Sequence, residues 1–305
     1  MLRQLVLALV LLQNAGAAPT PALAQSAPAN QSRSLRVGDM SRTYFLHVPL
    51  TLDRSRPAPL VLVFHGAGGR GVGFARHTGF SKLADEQGFI AVFPDGIRRR
   101  WNDGRSSGPS QNDVGFIRSL LASLTAEFAI DPRRIYATGI SNGAMFAYRL
   151  ACDLPGVFAA IAPVAGALPA ELAPRCTQSE PLSVVAFQGT ADRFVPYAGG
   201  AVGRRRGRVL SAEETMAFWA RAEGCSLNAV SDLEPDREPG DGTKVRRSEY
   251  PGCSHSRELV LYTIEGGGHT WPGGPSVARL VVGRVTRDID ATATIWDFFE
   301  RHPKP

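Results

Sequence analysis

The sequence has 305 residues, with 34 lysines and arginines against 28 aspartates and glutamates, for a formal charge of +6. A nucleic-acid-binding protein would need a basic face interleaved with aromatic residues or a known binding motif, and the sequence shows neither. The two arginine clusters, at 98–100 and 204–208, are therefore predicted to lie in solvated loops. The length suits one large α/β domain or two small ones, and no linker separates two domains.

The first 24 residues predict an export signal. Arg3 precedes an apolar run at 5–12, and a stretch of small residues ends at Ala24. The apolar run is far shorter than the roughly 20 residues of a membrane-spanning helix, and no cysteine follows it to carry a lipid. We therefore expect cleavage before Gln25 and a secreted or periplasmic product without a membrane anchor. Residues 25–40 are expected to be an N-terminal extension and 41–305 the folded domain.

Strands and helices alternate along the rest of the chain. Segment 42–48 has the alternating pattern of an antiparallel strand, and 60–64 is a continuous apolar run typical of a strand buried on both faces. The polar segment 226–256 is predicted to be a loop or hairpin. The other predicted strands are 89–93, 134–139, 159–164, 182–187 and 258–264, and the predicted helices are 80–86, 113–128, 142–151, 212–223 and 289–301. This alternation predicts a single-domain α/β fold, with a mostly parallel central sheet and helices on both faces.

Two segments match the pattern G-x-S-x-G, at 104–108 and 139–143. Chance alone predicts roughly 0.2 matches in a chain of this composition, so the structural context has to decide between them. No predicted strand precedes Ser106, and Pro109 follows it where a helix would begin. Ser141 instead lies between predicted strand 134–139 and predicted helix 142–151, the setting of a nucleophilic serine. Ser141 is therefore the predicted nucleophile.

A serine nucleophile needs a base and an acid that orients the base. His269 lies in a glycine-rich loop directly after the last predicted strand, and Asp192 follows strand 182–187. Glu265 is a weaker candidate for the acid because it is so close to His269 in sequence. Four other histidines do not follow a central strand: His47, His77, His255 and His302. The order serine, aspartate, histidine is that of α/β-hydrolases and not that of chymotrypsin or subtilisin.

The same chemistry needs backbone N–H groups that stabilise a developing oxyanion. One is expected from Asn142, the residue after the nucleophile, and the second from Ala67 in the glycine-rich loop 65–69. His65 of that loop is predicted to be structural. The loop lacks the phosphate-binding patterns G-K-[ST] and G-x-G-x-x-G, and we expect neither a cofactor nor a metal.

Four separated blocks resemble the LpqC-type family, which groups with secreted polyhydroxybutyrate depolymerases and feruloyl esterases. They are 101–105 (WNDGR), 139–143 (GISNG), 189–192 with 195–197 (GTAD with VPY) and 266–274 (GGGHTWPGG). The resemblance implies an α/β-hydrolase fold and the catalytic triad derived above. At Ala67 relatives often carry cysteine, but a backbone donor would be unaffected. The four cysteines allow three pairings by spacing alone. The resemblance implies pairing in chain order, Cys152 with Cys176 and Cys225 with Cys253.

The chain is therefore predicted to be a serine esterase that acts through an acyl-enzyme. It ends directly after its last predicted helix, which favours small or oligomeric esters over solid polyester. Trp101 and Trp271 are expected to form an aromatic-accepting wall, as hydroxycinnamoyl esters would require. Feruloyl and hydroxybutyrate esters both remain open. Two other functions also remain, a catalytically silent binding protein with this fold and a peptidase or acyltransferase with the same triad.

Overall fold

A computed structural model describes residues 29–177, 180–203, 206–276 and 278–305. The predicted export signal at 1–24 lies outside the described residues, as does part of the cluster 204–208. In the part of the chain that is described, no helix has both the length and the apolar character needed to cross a membrane.

One ten-stranded sheet runs through the molecule, in the spatial order β1-β2-β4-β3-β5-β6-β7-β12-β11-β10. Its strands are β1 (Asn30–Val37), β2 (Met40–His47), β3 (Ala58–Phe64), β4 (Ile90–Pro94), β5 (Ile130–Ile140), β6 (Ala160–Val164), β7 (Ser183–Gly189), β10 (Val230–Leu233), β11 (Lys244–Glu249) and β12 (Leu259–Glu265). Strands β8 (Gly200–Ala201) and β9 (Arg208–Val209) form a separate short ribbon. The strands from β4 to β12 in the spatial order pair in parallel, and antiparallel hairpins extend both edges. The predicted mostly parallel α/β fold is confirmed.

Helices cover both faces of this sheet, and each face has its own apolar core. The helices are α1 (Gly71–Thr78), α2 (Phe80–Gln87), α3 (Asp113–Glu127), α4 (Asn142–Asp153), α5 (Ala212–Ala222), α6 (Arg279–Val282) and α7 (Ala291–Arg301). Strand β3 shows the division, because Leu60, Leu62 and Phe64 pack into one core and Val61 and Val63 into the other. Side chains of a strand alternate between faces, so a continuous apolar run is what a doubly covered strand requires.

Strand β1 lies within the predicted N-terminal extension, residues 25–40. Strand β1 pairs with β2 over eight residues, from Asn30 opposite His47 to Val37 opposite Met40, so residues 30–37 belong to the sheet. The side chain of Arg33 also forms an ion pair with Glu127 of α3 at 2.6 Å. This strand is not predicted from the sequence because its residues are mostly polar and lack the apolar alternation that marks a strand. Backbone hydrogen bonds hold it at the edge of the sheet.

Two disulfides tie loops to the helices that precede them. Cys152, near the end of α4, is bonded to Cys176, and Cys225, just after α5, is bonded to Cys253. This is the chain-order pairing that the resemblance implies. The segment between Cys225 and Cys253 contains the β10–β11 hairpin, one of the two forms expected for 226–256.

Glu223, beside the second disulfide, is buried at the end of α5 and gives a testable dependence of stability on pH. Burial raises the pKa of Glu223 to about 7, although the N–H of Leu182 and the charge of Arg257 lower it. Between about 4.5 and 7 the unfolded chain loses this proton while the folded chain keeps it, so stability falls as pH rises through that range. Glu223→Gln keeps an oxygen for the Leu182 N–H, which Glu223 Oε1 accepts at 3.1 Å.

We therefore expect Glu223→Gln to raise the unfolding temperature relative to wild type by more at about pH 8 than at about pH 5. Differential scanning calorimetry of both proteins at the two pH values measures this. Glu238→Gln, a change at an exposed glutamate, is the matched control and should show no such difference. An equal effect of Glu223→Gln at both pH values would contradict the assignment of a buried, protonated carboxyl.

Candidate active site

Ser141 occupies a sharp turn between β5 and α4. Its backbone has φ 59° and ψ −121°, a conformation that non-glycine residues rarely adopt. The flanking glycines permit the turn, because a Cβ on Gly139 or Gly143 would lie 2.5 Å or 2.3 Å from the carbonyl oxygen of Phe64. The N–H of Ser141 donates to Val164 O of β6 at 2.9 Å. This is the strand–turn–helix setting predicted from the sequence.

His269 lies in the loop that follows β12, where glycines allow the backbone to pack closely. A Cβ on Gly268 would lie 2.1 Å from Val282 O, and the His269 N–H donates to the same oxygen at 2.6 Å. The Nδ1 of His269 lies 2.7 Å from Asp192 Oδ2. An Nδ1–H that donates to the carboxylate leaves Nε2 unprotonated, which is the form a general base requires.

Asp192 is held so that its carboxylate faces the histidine. Its side chain is fully buried, and its Oδ1 accepts the N–H groups of Phe194 at 2.8 Å and Val195 at 2.9 Å. With Oδ1 occupied by the backbone, Oδ2 is directed to His269. Glu265, the alternative acid, instead pairs with Arg246 at 2.7 Å.

A cleft of about 660 Å³ brings the predicted residues together. Ser141 and His269 both line it, as do Ala67 and Asn142, the two predicted oxyanion donors. The N–H of Asn142 is in the first turn of α4, where the helix offers it no acceptor. Within the described residues the N–H of Ala67 also has no hydrogen-bond acceptor, and this residue is exposed. The cleft therefore contains a hydroxyl, an imidazole and two unpaired donors.

The side chain of Asn142 connects the serine turn to the loop 101–105. Its Oδ1 accepts the N–H of Trp101 at 2.7 Å, and its Nδ2 donates to Trp101 O at 3.0 Å and to Asp103 Oδ2 at 2.6 Å. Asp103 is buried and also binds Arg105, whose Nη2 lies 2.6 Å from Asp103 Oδ2. These bonds fix the loop against the first turn of α4.

A second buried ion pair supports the same loop. Arg42 Nη2 lies 2.7 Å from Asp113 Oδ1, and both side chains are buried. The other carboxylate oxygen of Asp113 accepts the N–H of Asn102 at 2.7 Å. Residues far apart in sequence thus hold this loop at the edge of the cleft.

The expectation that Trp271 contributes to a substrate wall is wrong. Its ring packs edge-on against Phe74 and Phe80, its Nε1 donates to Thr292 Oγ1 at 3.0 Å, and it does not line the cleft. The tryptophan fills the core between helices instead. Phe194, which sequence analysis missed, is the exposed aromatic residue of the cleft, and its ring centroid lies 5.2 Å from that of His269.

Trp101 borders the cleft, but its side chain is fully buried and offers no exposed ring to a substrate. Its ring stacks on Phe146 with a centroid distance of 4.9 Å, and its Nε1 donates to His65 O at 2.9 Å. His65 is also buried, as predicted for a structural residue, and burial lowers its pKa. Its Nδ1 donates to Gly66 O at 2.8 Å, and its Nε2 accepts the N–H of Gly96 at 3.0 Å.

Ser106, the serine of the other motif, lies in an exposed turn between β4 and α3, where its N–H donates to Glu171. Among the residues that the structure describes, four arginines line the cleft, namely Arg100, Arg105, Arg193 and Arg206. Both arginine clusters are predicted to lie in solvated loops, and one described member of each, Arg100 and Arg206, lines the cleft. In the described ranges no group of histidine, cysteine, aspartate or glutamate side chains is arranged to hold a metal ion.

Comparison with known proteins identifies the family to which this chain belongs. The family model for "Esterase PHB depolymerase" matches residues 41–178. "Putative esterase NocK" of Nocardia uniformis subsp. tsuyamanensis is 33% identical over 289 residues, which cover 88% of this chain and 81% of NocK. The chain belongs to the esterase PHB depolymerase family.

Other relatives agree with this assignment. Feruloyl esterase B of Piromyces equi is 29% identical over 236 residues, which cover 75% of this esterase and 42% of that protein. The solved acetyl xylan esterase from Aspergillus awamori superposes with a TM-score of 0.57 at 16% identity, covering 85% of this chain and 94% of that one. The structural likeness shows the α/β-hydrolase fold, and the family shows an esterase.

The contact between Asp192 and His269 predicts the effect of one substitution. We expect Asp192→Asn to lower kcat by about 10³ to 10⁴, because an amide no longer stabilises the imidazolium or fixes the correct tautomer. Ester hydrolysis assays at neutral pH measure kcat, and circular dichroism checks the fold. Glu265→Gln is the matched control and should stay within about twofold of wild type. A near-normal rate for Asp192→Asn together with a collapse for Glu265→Gln would assign the acid to Glu265.

Proposed function

We propose that this protein is a serine carboxylic-ester hydrolase with Ser141 as nucleophile, His269 as general base and Asp192 as the acid that orients the base. One observation carries the proposal. Ser141 and His269 line the same cleft, and the buried carboxylate of Asp192 lies 2.7 Å from His269 Nδ1. The order of these residues along the chain, and their positions after β5, β7 and β12, match the arrangement of α/β-hydrolases.

The proposed reaction proceeds through an acyl-enzyme. Ser141 Oγ attacks the ester carbonyl while His269 Nε2 accepts the hydroxyl proton. The resulting oxyanion accepts hydrogen bonds from the backbone N–H groups of Ala67 and Asn142. The tetrahedral intermediate then collapses, and the alcohol leaves with the proton from His269. A water molecule, deprotonated by the same Nε2, attacks the acyl-enzyme and releases the carboxylic acid.

The cleft and the relatives indicate the class of ester. A cleft of about 660 Å³ is large enough for a small or oligomeric ester. Phe194 offers an exposed aromatic ring beside His269, which suits the flat acyl group of a hydroxycinnamoyl ester. Relatives named as feruloyl esterases, and the poly(3-hydroxyalkanoate) depolymerase C of Paucimonas lemoignei, support two candidate substrates, hydroxycinnamoyl esters and hydroxyalkanoate oligomers.

Export to an oxidising compartment belongs to the same proposal. Two disulfides, Cys152–Cys176 and Cys225–Cys253, are a feature of secreted and periplasmic proteins rather than of cytosolic ones. The expected signal at 1–24 supports the same location. Sequencing the N-terminus of the protein recovered from outside the cytosol tests it, and a start at Gln25 is expected.

Replacement of the proposed nucleophile and base tests the chemistry. We expect Ser141→Ala and His269→Ala each to lower kcat by about 10⁶, because the members of a triad act as a unit. The assay follows hydrolysis of p-nitrophenyl acetate, methyl ferulate and a 3-hydroxybutyrate oligomer. Ser106→Ala, the matched change in the other glycine-serine motif, should leave the rates unchanged.

Retention of more than roughly a tenth of the wild-type kcat by either variant would rule out the proposed triad. A wild-type protein that is folded but hydrolyses none of the three esters would instead favour a binding function for the cleft.

A further inference from the structure

The cleft that contains Ser141 and His269 has a strong excess of positive charge. Arg100, Arg105, Arg193 and Arg206 line it, and no aspartate or glutamate is among its described lining residues. Catalysis by the proposed triad requires none of these guanidinium groups. Their position therefore needs another explanation.

Of the four cleft arginines in the described part of the chain, one has a carboxylate partner. Arg105 Nη2 lies 2.6 Å from the buried carboxylate of Asp103. Across the described residues, the guanidinium groups of Arg100, Arg193 and Arg206 form no ion pair and no hydrogen bond. Three arginines without a carboxylate partner thus line one cleft. We call Arg100, Arg193 and Arg206 the cationic subsite.

The backbone at each of these arginines is held in place. Arg193 lies between Asp192 and Phe194, and the Phe194 N–H donates to Asp192 Oδ1 at 2.8 Å. The Arg206 N–H donates to Val202 O at 2.9 Å, and Arg206 O accepts a hydrogen bond from Arg105. Arg100 directly precedes Trp101, whose N–H donates to Asn142 Oδ1 at 2.7 Å. These backbone hydrogen bonds fix the points from which the three long side chains extend.

Like charges that converge in a cleft repel one another and attract an anion from solution. The guanidinium group binds carboxylates well because its N–H groups match two carboxylate oxygens. An ester substrate that carries a second, ionised carboxyl group would therefore gain binding energy that a neutral ester does not. Such a group is present at the free acid end of any hydroxy-acid oligomer, and on monoesters of dicarboxylic acids.

We propose that the cationic subsite binds a carboxylate carried by the ester substrate and so makes the enzyme selective for anionic esters. The inference rests on the proposed esterase function of the same cleft. The carboxylate is attached either to the acyl part or to the alcohol part of the ester. Two pairs of substrates separate these cases.

The acyl-side pair is mono-p-nitrophenyl glutarate and the p-nitrophenyl ester of glutaric acid monoamide, which differ only in the charged group. The alcohol-side pair is p-acetoxybenzoate and p-acetoxybenzamide. For each pair the ratio of the two kcat/KM values is measured at low salt. Both substrates of a pair are assayed with the same protein, so a change in folded fraction or in catalytic rate that affects both equally does not alter the ratio.

We expect the anionic ester of at least one pair to be preferred by about tenfold. In the variant R100Q/R193Q/R206Q the ratio should fall to within about twofold of unity, and about 0.5 M NaCl should lower it in wild type. The control variant R76Q/R118Q/R237Q removes the same net charge at exposed arginines outside the cleft and should keep the preference.

Equal kcat/KM values within both pairs would overturn the cationic subsite, and so would a preference that persists in R100Q/R193Q/R206Q or disappears in R76Q/R118Q/R237Q. The pair that shows the preference identifies the part of the ester that carries the carboxylate. Failure of folded wild type to hydrolyse any of the four esters would overturn the proposed function itself. The two failures are therefore distinguishable.

Discussion

The parallel pairing of the central strands is the constraint on which the site depends. Strands that run in parallel place the loops after their carboxyl ends at one edge of the sheet, which is where ligands bind in open α/β sheets. Ala67, Ser141, Asp192 and His269 follow β3, β5, β7 and β12 at that edge. Close backbone packing then sets the position of Ser141, because the turn brings Gly139 against the backbone of β3.

A buried carboxylate links the chemistry to the proposed selectivity. Asp103 binds the side chain of Asn142, the residue after the proposed nucleophile, and also pairs with Arg105 in the cleft. One side chain thus supports the first turn of α4 and neutralises one cleft arginine. Burying such a charge is favourable only when its partners satisfy it, and here an amide and a guanidinium do so. Arg100, Arg193 and Arg206 are the cleft arginines proposed to bind a ligand.

Local signals made the proposed triad predictable from the sequence. A glycine-flanked serine between a strand and a helix, and an acid and a histidine after later strands, are features of short segments. Trp271 was misplaced because its burial depends on Phe74 and Phe80, which are nearly 200 residues away in sequence. Strand β1 was missed because its pairing uses backbone groups, which the side-chain pattern does not reveal. The positions of Arg100 and Arg206 at the cleft depend on loop packing, which has no periodic signal in the sequence.

The identity of the serine that reacts with a fluorophosphonate tests the proposed nucleophile most directly. Such a probe phosphonylates a serine whose proton a neighbouring base accepts, so it reports the nucleophile without any assumption about the substrate. Mass-spectrometric mapping of the labelled protein should find one adduct, on Ser141. An adduct on Ser106 or on any other serine, or no adduct on the folded protein, would contradict the assignment.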